Sequence, residues 1–182
     1  IGANVRSTVA TYDGVFDDLR KLFSKTEDAK KRKLTASDFS YNTGSLRCPT
    51  CDGTGSISLD VQFLPDISIT CPTCGGSRYA NHAYDIKWKG KDNKGEGLSL
   101  PDILSLTAED ALSVLKGEKK IERQLDILNT LGIGYLTLGE ATPALSGGEA
   151  QRLKLSSEMN IPQSGSVFVF DEPTIGLHPL DV

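Results

Sequence analysis

Two stretches near the end of the chain, Leu145-Ser-Gly-Gly-Glu-Ala-Gln-Arg152 and Ser166-Val-Phe-Val-Phe-Asp-Glu-Pro-Thr174, carry the reading of the fold. The first reads as a loop entering a helix that runs from about Gly147 to Met159. Its Ser146-Gly147-Gly148 turn presents backbone N–H groups at the helix start, where unpaired donors and about half a positive charge suit a phosphate. The second is an apolar run, Val167 to Phe170, that delivers Asp171 and Glu172 at its C-terminal end. Ligands of open α/β sheets bind at that end. An aspartate there can hold Mg²⁺, and the next glutamate can orient or deprotonate a water.

In this order, the two stretches resemble the signature and Walker B motifs of ABC-type ATPases. The wording LSGGEAQR with DEPTIGLH resembles the UvrA family, the damage-recognition subunits of bacterial nucleotide excision repair. Upstream, Ala10 to Asp18, Arg20, Phe23, Phe39 to Asn42, Phe63 to Asp66 and Arg78-Tyr79 are similar to the second half of that family, so the resemblance spans essentially the whole chain.

All four cysteines lie in two pairs, Cys48-Pro-Thr-Cys51 and Cys71-Pro-Thr-Cys74, nineteen residues apart. This is a Cys₄ zinc spacing, in which each CxxC knuckle supplies two sulfurs of a tetrahedron. A closed site of this kind is structural. Disulfides or a redox pair are the alternatives. Gly53, Gly55, Gly75 and Gly76 permit the tight turns that knuckles need. Between the pairs, Ile57, Leu59, Val61 and Phe63 alternate as a strand over 56–63. Pro65-Asp66 marks a turn before Ile67 to Thr70, so the spacing predicts a zinc-capped hairpin. The first knuckle also resembles the CxxCxGxG repeat of DnaJ-type chaperones, whereas the second has Arg78 where the last glycine would stand. A zinc-dependent protein-binding module is the competing reading. A cytosolic ATPase context disfavours disulfides.

Elsewhere the pattern predicts scaffold. Residues 1–13 read as polar and irregular, with Asp13 capping a helix over 14–24 that carries Val15, Leu19, Leu22 and Phe23 on one face. Residues 25–33 read as mobile or as an extension of that helix. Ala83 to Trp88 reads as a strand, with Trp88 buried and His82 in a loop. Ser99 opens a short helix, Thr107 to Asp110 has the form of a capping box, and a helix over 118–131 ends at Gly132. Residues 90–100 look like an insertion relative to the family.

The chain has 182 residues and a net charge of −4, with 38% hydrophobic and 24% charged residues. Overall charge therefore does not advertise nucleic-acid binding, although Lys30 to Lys33 and Lys87 to Lys94 are locally basic. No apolar run approaches the ~20 residues of a membrane helix. There is neither an initiating methionine nor a signal-peptide pattern, and both ends read as cut from a longer protein.

The expected fold is α+β with an α/β portion. A zinc-stapled signature (insertion) domain over 1–140 holds the zinc module at about 45–80. A truncated ABC-type P-loop ATPase segment follows over 141–182. The resemblance implies an ATP-binding, DNA-binding protein that recognises DNA damage in excision repair, within the SOS response and upstream of an excision nuclease. Its partners would be double-stranded and damaged DNA, a second copy in a homodimer, and a UvrB-like repair protein, in the cytoplasm and with no membrane. Zn²⁺ would be held by Cys48, Cys51, Cys71 and Cys74. ATP and Mg²⁺ would be met by Ser146, Gly147, Gly148, Gln151, Asp171 and His178, with Glu172 as the catalytic residue and His178 facing the dimer. Candidate phosphate contacts are Arg6, Arg47, Arg78, Lys87 and Lys89. No G-x-x-x-x-G-K-[ST] loop occurs, so the chain alone is expected to be inactive as an ATPase. A UvrA-like paralogue that confers resistance to DNA-binding drugs is the nearer alternative, favoured by the insertion.

Overall fold

The computed structural model describes residues 4–59, 67–90 and 96–159. The Walker B stretch, with Asp171, Glu172 and His178, lies outside the described residues, as do Val61, Phe63 and Pro65-Asp66. Seven α-helices and one two-stranded sheet are found among the described residues. The chain divides into two compact units, residues 1–16 with 106–182, and residues 17–105.

In the first unit, helix α1 (Val9–Asp13) starts at Thr8, whose hydroxyl accepts from Thr11 N–H while the Thr11 hydroxyl accepts from the Thr8 backbone N–H. Val9 and Ala10 are fully buried. The opening residues are thus not all irregular: two apolar side chains and a threonine cap suffice to fold a short helix when tertiary packing covers it. Asp13 ends α1 instead of opening the next helix, and Gly14 turns the chain with φ 91°. Helix α2 (Val15–Ser24) begins in this unit and continues into the other.

Helix α5 (Ala108–Val114) is capped by Thr107, which accepts from Asp110 N–H at 3.0 Å. Helix α6 (Lys119–Thr130) buries Ile121, Leu125 and Leu128 and ends near Gly132 at φ 69°. These three side chains repeat at helical spacing, which puts one apolar stripe against the core. Helix α7 (Gly147–Met159) packs against α1 and α6, and α5 packs on α6. Backbone bridges at Thr8 to Ala141 and Thr107 to Thr137 tie the connecting segments.

The second unit is built around paired aromatics. The Phe23 and Phe39 rings lie 5.9 Å apart, and Tyr41 meets Tyr79 edge-on at 6.1 Å. Tyr79 is fully buried, and its hydroxyl donates to the Phe39 carbonyl at 2.6 Å, which satisfies the one polar side-chain atom it carries inside. Residues 25–33 do contain helix: α3 (Glu27–Lys31) starts from the Thr26 cap.

Strands β1 (Ser56–Leu59) and β2 (Ile67–Thr70) pair antiparallel from Ser56 opposite Thr70 to Leu59 opposite Ile67, as the hairpin reading requires. The strand read over 83–88 is not there. A 3₁₀ turn occupies Asn81–Asp85, and Trp88 exchanges backbone bonds with Leu98 at 2.9 Å. Ala83 and Ile86 are both buried, three apart as a 3₁₀ turn requires, so alternation along Tyr84, Ile86 and Trp88 coincides with a different geometry. Trp88 is 9% exposed, as expected of a core residue. Helix α4 (Leu100–Leu104) opens from a Ser99–Asp102 capping box.

Candidate metal centre and signature helix

The four cysteines converge at the base of the β1–β2 hairpin. Their sulfurs all lie within 4.8 Å of one another, and among the described residues they are the cluster suited to a metal ion. Cys48 Sγ to Cys71 Sγ is 4.0 Å and Cys51 Sγ to Cys74 Sγ is 3.7 Å. A tetrahedron of ~2.3 Å Zn–S bonds has edges of about 3.8 Å, which these separations bracket. A disulfide would need ~2.05 Å, so all four are free thiols. His82 is exposed, in the 3₁₀ turn, and takes no part in the cluster.

The two knuckles hold each other by a reciprocal pair of backbone bonds. Cys48 N–H donates to the Arg78 carbonyl at 2.8 Å, and Cys71 N–H donates to the Gly55 carbonyl at 3.0 Å. Gly55 N–H points at Cys51 Sγ, 3.3 Å away. A β-carbon on Gly53 would sit 1.7 Å from the Tyr41 carbonyl oxygen, and Gly53 has φ 77°, so no other residue fits there. Burial resists ionisation of Cys71, yet the Cys74 and Thr73 backbone N–H groups and the adjacent thiols bring it down to about 7. Burial pushes Cys74 up to about 12. A bound cation would displace both protons, because the thiolate is the ligand.

The signature helix has a different chemistry. Ser146 and Gly147 are exposed, Gly148 is buried and Gln151 is half-buried. Glu149 N–H donates to Ser146 Oγ at 3.3 Å, and Ser146 N–H donates to Glu149 Oε2 at 2.6 Å, a capping box on the very turn that suits a phosphate. The Tyr135 hydroxyl donates to Glu149 Oε1 at 2.6 Å. This bond, with those from Ser146, holds the Glu149 carboxyl below its ordinary range and raises the Tyr135 hydroxyl. Sequence reasoning does not single out Tyr135 and Glu149 as a pair, and the S-x-x-E pattern within LSGGE is the available signal. Further along α7, buried Ser156 places its hydroxyl 2.7 Å from Asp13 Oδ1 and 2.8 Å from the Leu153 carbonyl.

The cationic candidates differ in setting. Arg6 is half-buried, in the first unit. In the second unit, Arg47 pairs with Asp52 at 3.0 Å and donates to the Asn42 carbonyl, and Lys87 pairs with Asp102 at 3.2 Å. Lys89 is exposed. Arg78 is only 6% exposed, with its guanidinium 5.1 Å from the centroid of the Tyr41 ring. In this conformation it faces the interior and not a solvent-side phosphate.

No protein-family model matches the chain. Individual proteins do. UvrABC system protein A of Bacillus subtilis (strain 168) is 44% identical over 183 aligned residues, all of this chain and 18% of that protein. Its counterpart in Staphylococcus aureus (strain COL) is 43% identical, with 19% of its length covered. That of Thermus thermophilus is 42% identical, with 18% covered. The chain therefore spans about a fifth of the length of these relatives. The crystal structure of UvrA2 from Deinococcus radiodurans superposes with a TM-score of 0.87 at 43% identity, over all of this chain and 21% of that one. Matched from end to end at 42–44% identity and sharing the fold of a solved UvrA2, the chain is similar over its whole length to a segment of UvrA.

Proposed function

We propose that the chain is the zinc-bearing signature portion of a DNA-binding ATPase that recognises damage in nucleotide excision repair. The observation that carries this is the match to UvrABC system protein A over the whole chain, a span in which this chain carries both CxxC pairs and the signature stretch.

Cys48, Cys51, Cys71 and Cys74 hold a structural Zn²⁺. With four protein ligands no coordination position stays open for substrate, so the ion shapes the hairpin and performs no chemistry. Ser146, Gly147, Gly148 and Gln151 close on the γ-phosphate of ATP carried by an opposing ATPase module, with Asp171 helping to hold Mg²⁺ and Glu172 polarising water. His178 faces the other copy of a homodimer. To receive a phosphate, the Ser146 N–H must first give up the Glu149 carboxylate, since two anions do not share one donor. Residues 1–140 form the signature domain, and 141–182 belong to the ATPase. DNA is gripped mainly through phosphates by Arg6, Arg47, Lys87 and Lys89, because a reader of varied damage senses deformability more than base edges. A UvrB-like partner, an excision nuclease, SOS induction and a cytoplasmic setting complete the reading. No described helix is long and apolar enough to cross a membrane.

The test is made in the whole parent protein. It should bind a lesion-bearing duplex more tightly than an intact one in the presence of ATP, and Glu172→Gln should abolish turnover while leaving DNA binding. Equal affinity for both duplexes would contradict damage recognition, and turnover unaffected by Glu172→Gln would contradict the catalytic assignment.

A further inference from the structure

The two cysteine knuckles repeat one another position by position. After Cys51 come Asp52, Gly53 and Gly55, with φ of 50°, 77° and 79°. After Cys74 come Gly75, Gly76 and Arg78, with φ of 57°, 89° and 73° at the same three offsets. The carbonyls that receive the Cys48 and Cys71 N–H groups belong to Arg78 and Gly55, again equivalent positions. Two of the three positions differ in residue type: Asp52 corresponds to Gly75, and at the last an arginine stands where the first knuckle has a glycine.

At Gly55 the reason for glycine is steric as well as conformational, because a β-carbon would lie 2.8 Å from the Gly76 carbonyl oxygen. At position 78 the backbone is equally left-handed, a region disfavoured for any residue with a β-carbon. Arginine stands there against its conformational preference, and its side chain goes inward. The guanidinium lies over the Tyr41 ring, and Nη1 donates to the carbonyl of Gly53 in the opposite knuckle at 3.3 Å. Arg78 thereby bridges the knuckles: its backbone follows Cys74 by four residues, and its guanidinium bonds the residue two after Cys51. A buried guanidinium demands compensating negative charge. Four thiolates around a divalent cation would carry a net charge of −2, at a site where Cys48, Cys51 and Cys71 are buried and Cys74 is half-buried.

We propose that Arg78 is a positioning residue of the metal centre, a built-in counter-cation that offsets the negative charge of the four-thiolate site and clamps the first knuckle through Gly53. This rests on the reading of the cysteines as a zinc site. The same buried position explains why a cation beside the knuckles need not be a DNA contact.

The test measures zinc retention by the full chain against a competing chelator, with Co²⁺ absorption as a second readout of thiolate ligation. Arg78→Gly relieves the backbone but removes the charge, Arg78→Met keeps the length, and Arg78→Lys keeps the charge. Loss of outer-shell support typically costs about 10–100-fold in metal affinity, and the Gly and Met variants should fall in that range. The Lys variant should recover most of the loss, with the tetrahedral thiolate–cobalt spectrum intact. Wild-type retention by the Gly variant, or a Lys variant as weak as Met, would overturn the proposal. So would Gly and Met variants that stay unfolded in excess zinc, since a counter-cation role predicts rescue. A wild-type chain that takes up neither Zn²⁺ nor Co²⁺ would instead remove the zinc reading on which the proposal stands.

Discussion

Asp13 shows what one buried carboxyl can do to stability. Burial raises its pKa from 3.8 to about 6, against a lowering by the Ser156 hydroxyl. The folded state then binds more protons than the unfolded state between those values, so this group's contribution is fully present below about pH 4 and is lost as pH rises through about 6. By linkage, a displacement of that size is worth roughly 3 kcal/mol. Asp13→Asn should flatten this slope and raise the urea midpoint at pH 8, with little change at pH 4. A variant that keeps the wild-type slope would place the titrating group elsewhere. At the proposed zinc site, Cys71→Ser should release the ion and loosen the hairpin, seen as a lost equivalent of zinc and a lower melting temperature. Gly53→Ala should be as damaging without touching a ligand, because its β-carbon would meet the Tyr41 carbonyl at 1.7 Å. These residues are partly legible in the sequence. The cysteines and glycines announce the knuckles, whereas nothing marks Asp13 as a partner of Ser156, 143 residues away.

Elements are legible where local chemistry decides them. Helix α7 spans Gly147–Met159 as expected, since Ser146 and Glu149 supply its start. The caps at Ser99 and Thr107 and the stop at Gly132 are equally plain. The failures lie where packing overrides pattern. Residues 83–88 alternate like a strand, but no partner strand runs beside them among the described residues, and Ala83 and Ile86 bury themselves through a 3₁₀ turn. Helix α1 is five residues long, too short to be stable alone, and is held by burial of Val9 and Ala10. For α7 the capping box carries a prediction. Ser146→Ala should cost about 1 kcal/mol of stability, the usual worth of an N-cap, measurable by chemical denaturation. No loss would mean that Tyr135 and Glu149 hold the helix start without the Ser146 hydroxyl.

At the level of the whole molecule, the four-cysteine cluster belongs to the compact unit of residues 17–105 and the signature helix to the unit of residues 1–16 with 106–182. Motifs place a boundary at residue 140, whereas compactness groups residues by packing, and the two answer different questions. Segment 106–140 shows why they differ: its helices α5 and α6 lie upstream of the signature motif, yet α6 packs against α7. The net charge of −4 gives no global attraction to DNA, so any grip must come from local cations. Arg47→Glu and Lys89→Glu should each weaken binding to any duplex and lower the salt slope by about one.

The most direct measurement is fluorescence anisotropy of the zinc-loaded chain with intact and lesion-bearing duplex DNA across a salt series. The account predicts binding that falls steeply with salt and is weakened by Cys71→Ser. No binding to either duplex at low salt, with zinc bound and the fold intact, would contradict the claim that this segment grips DNA.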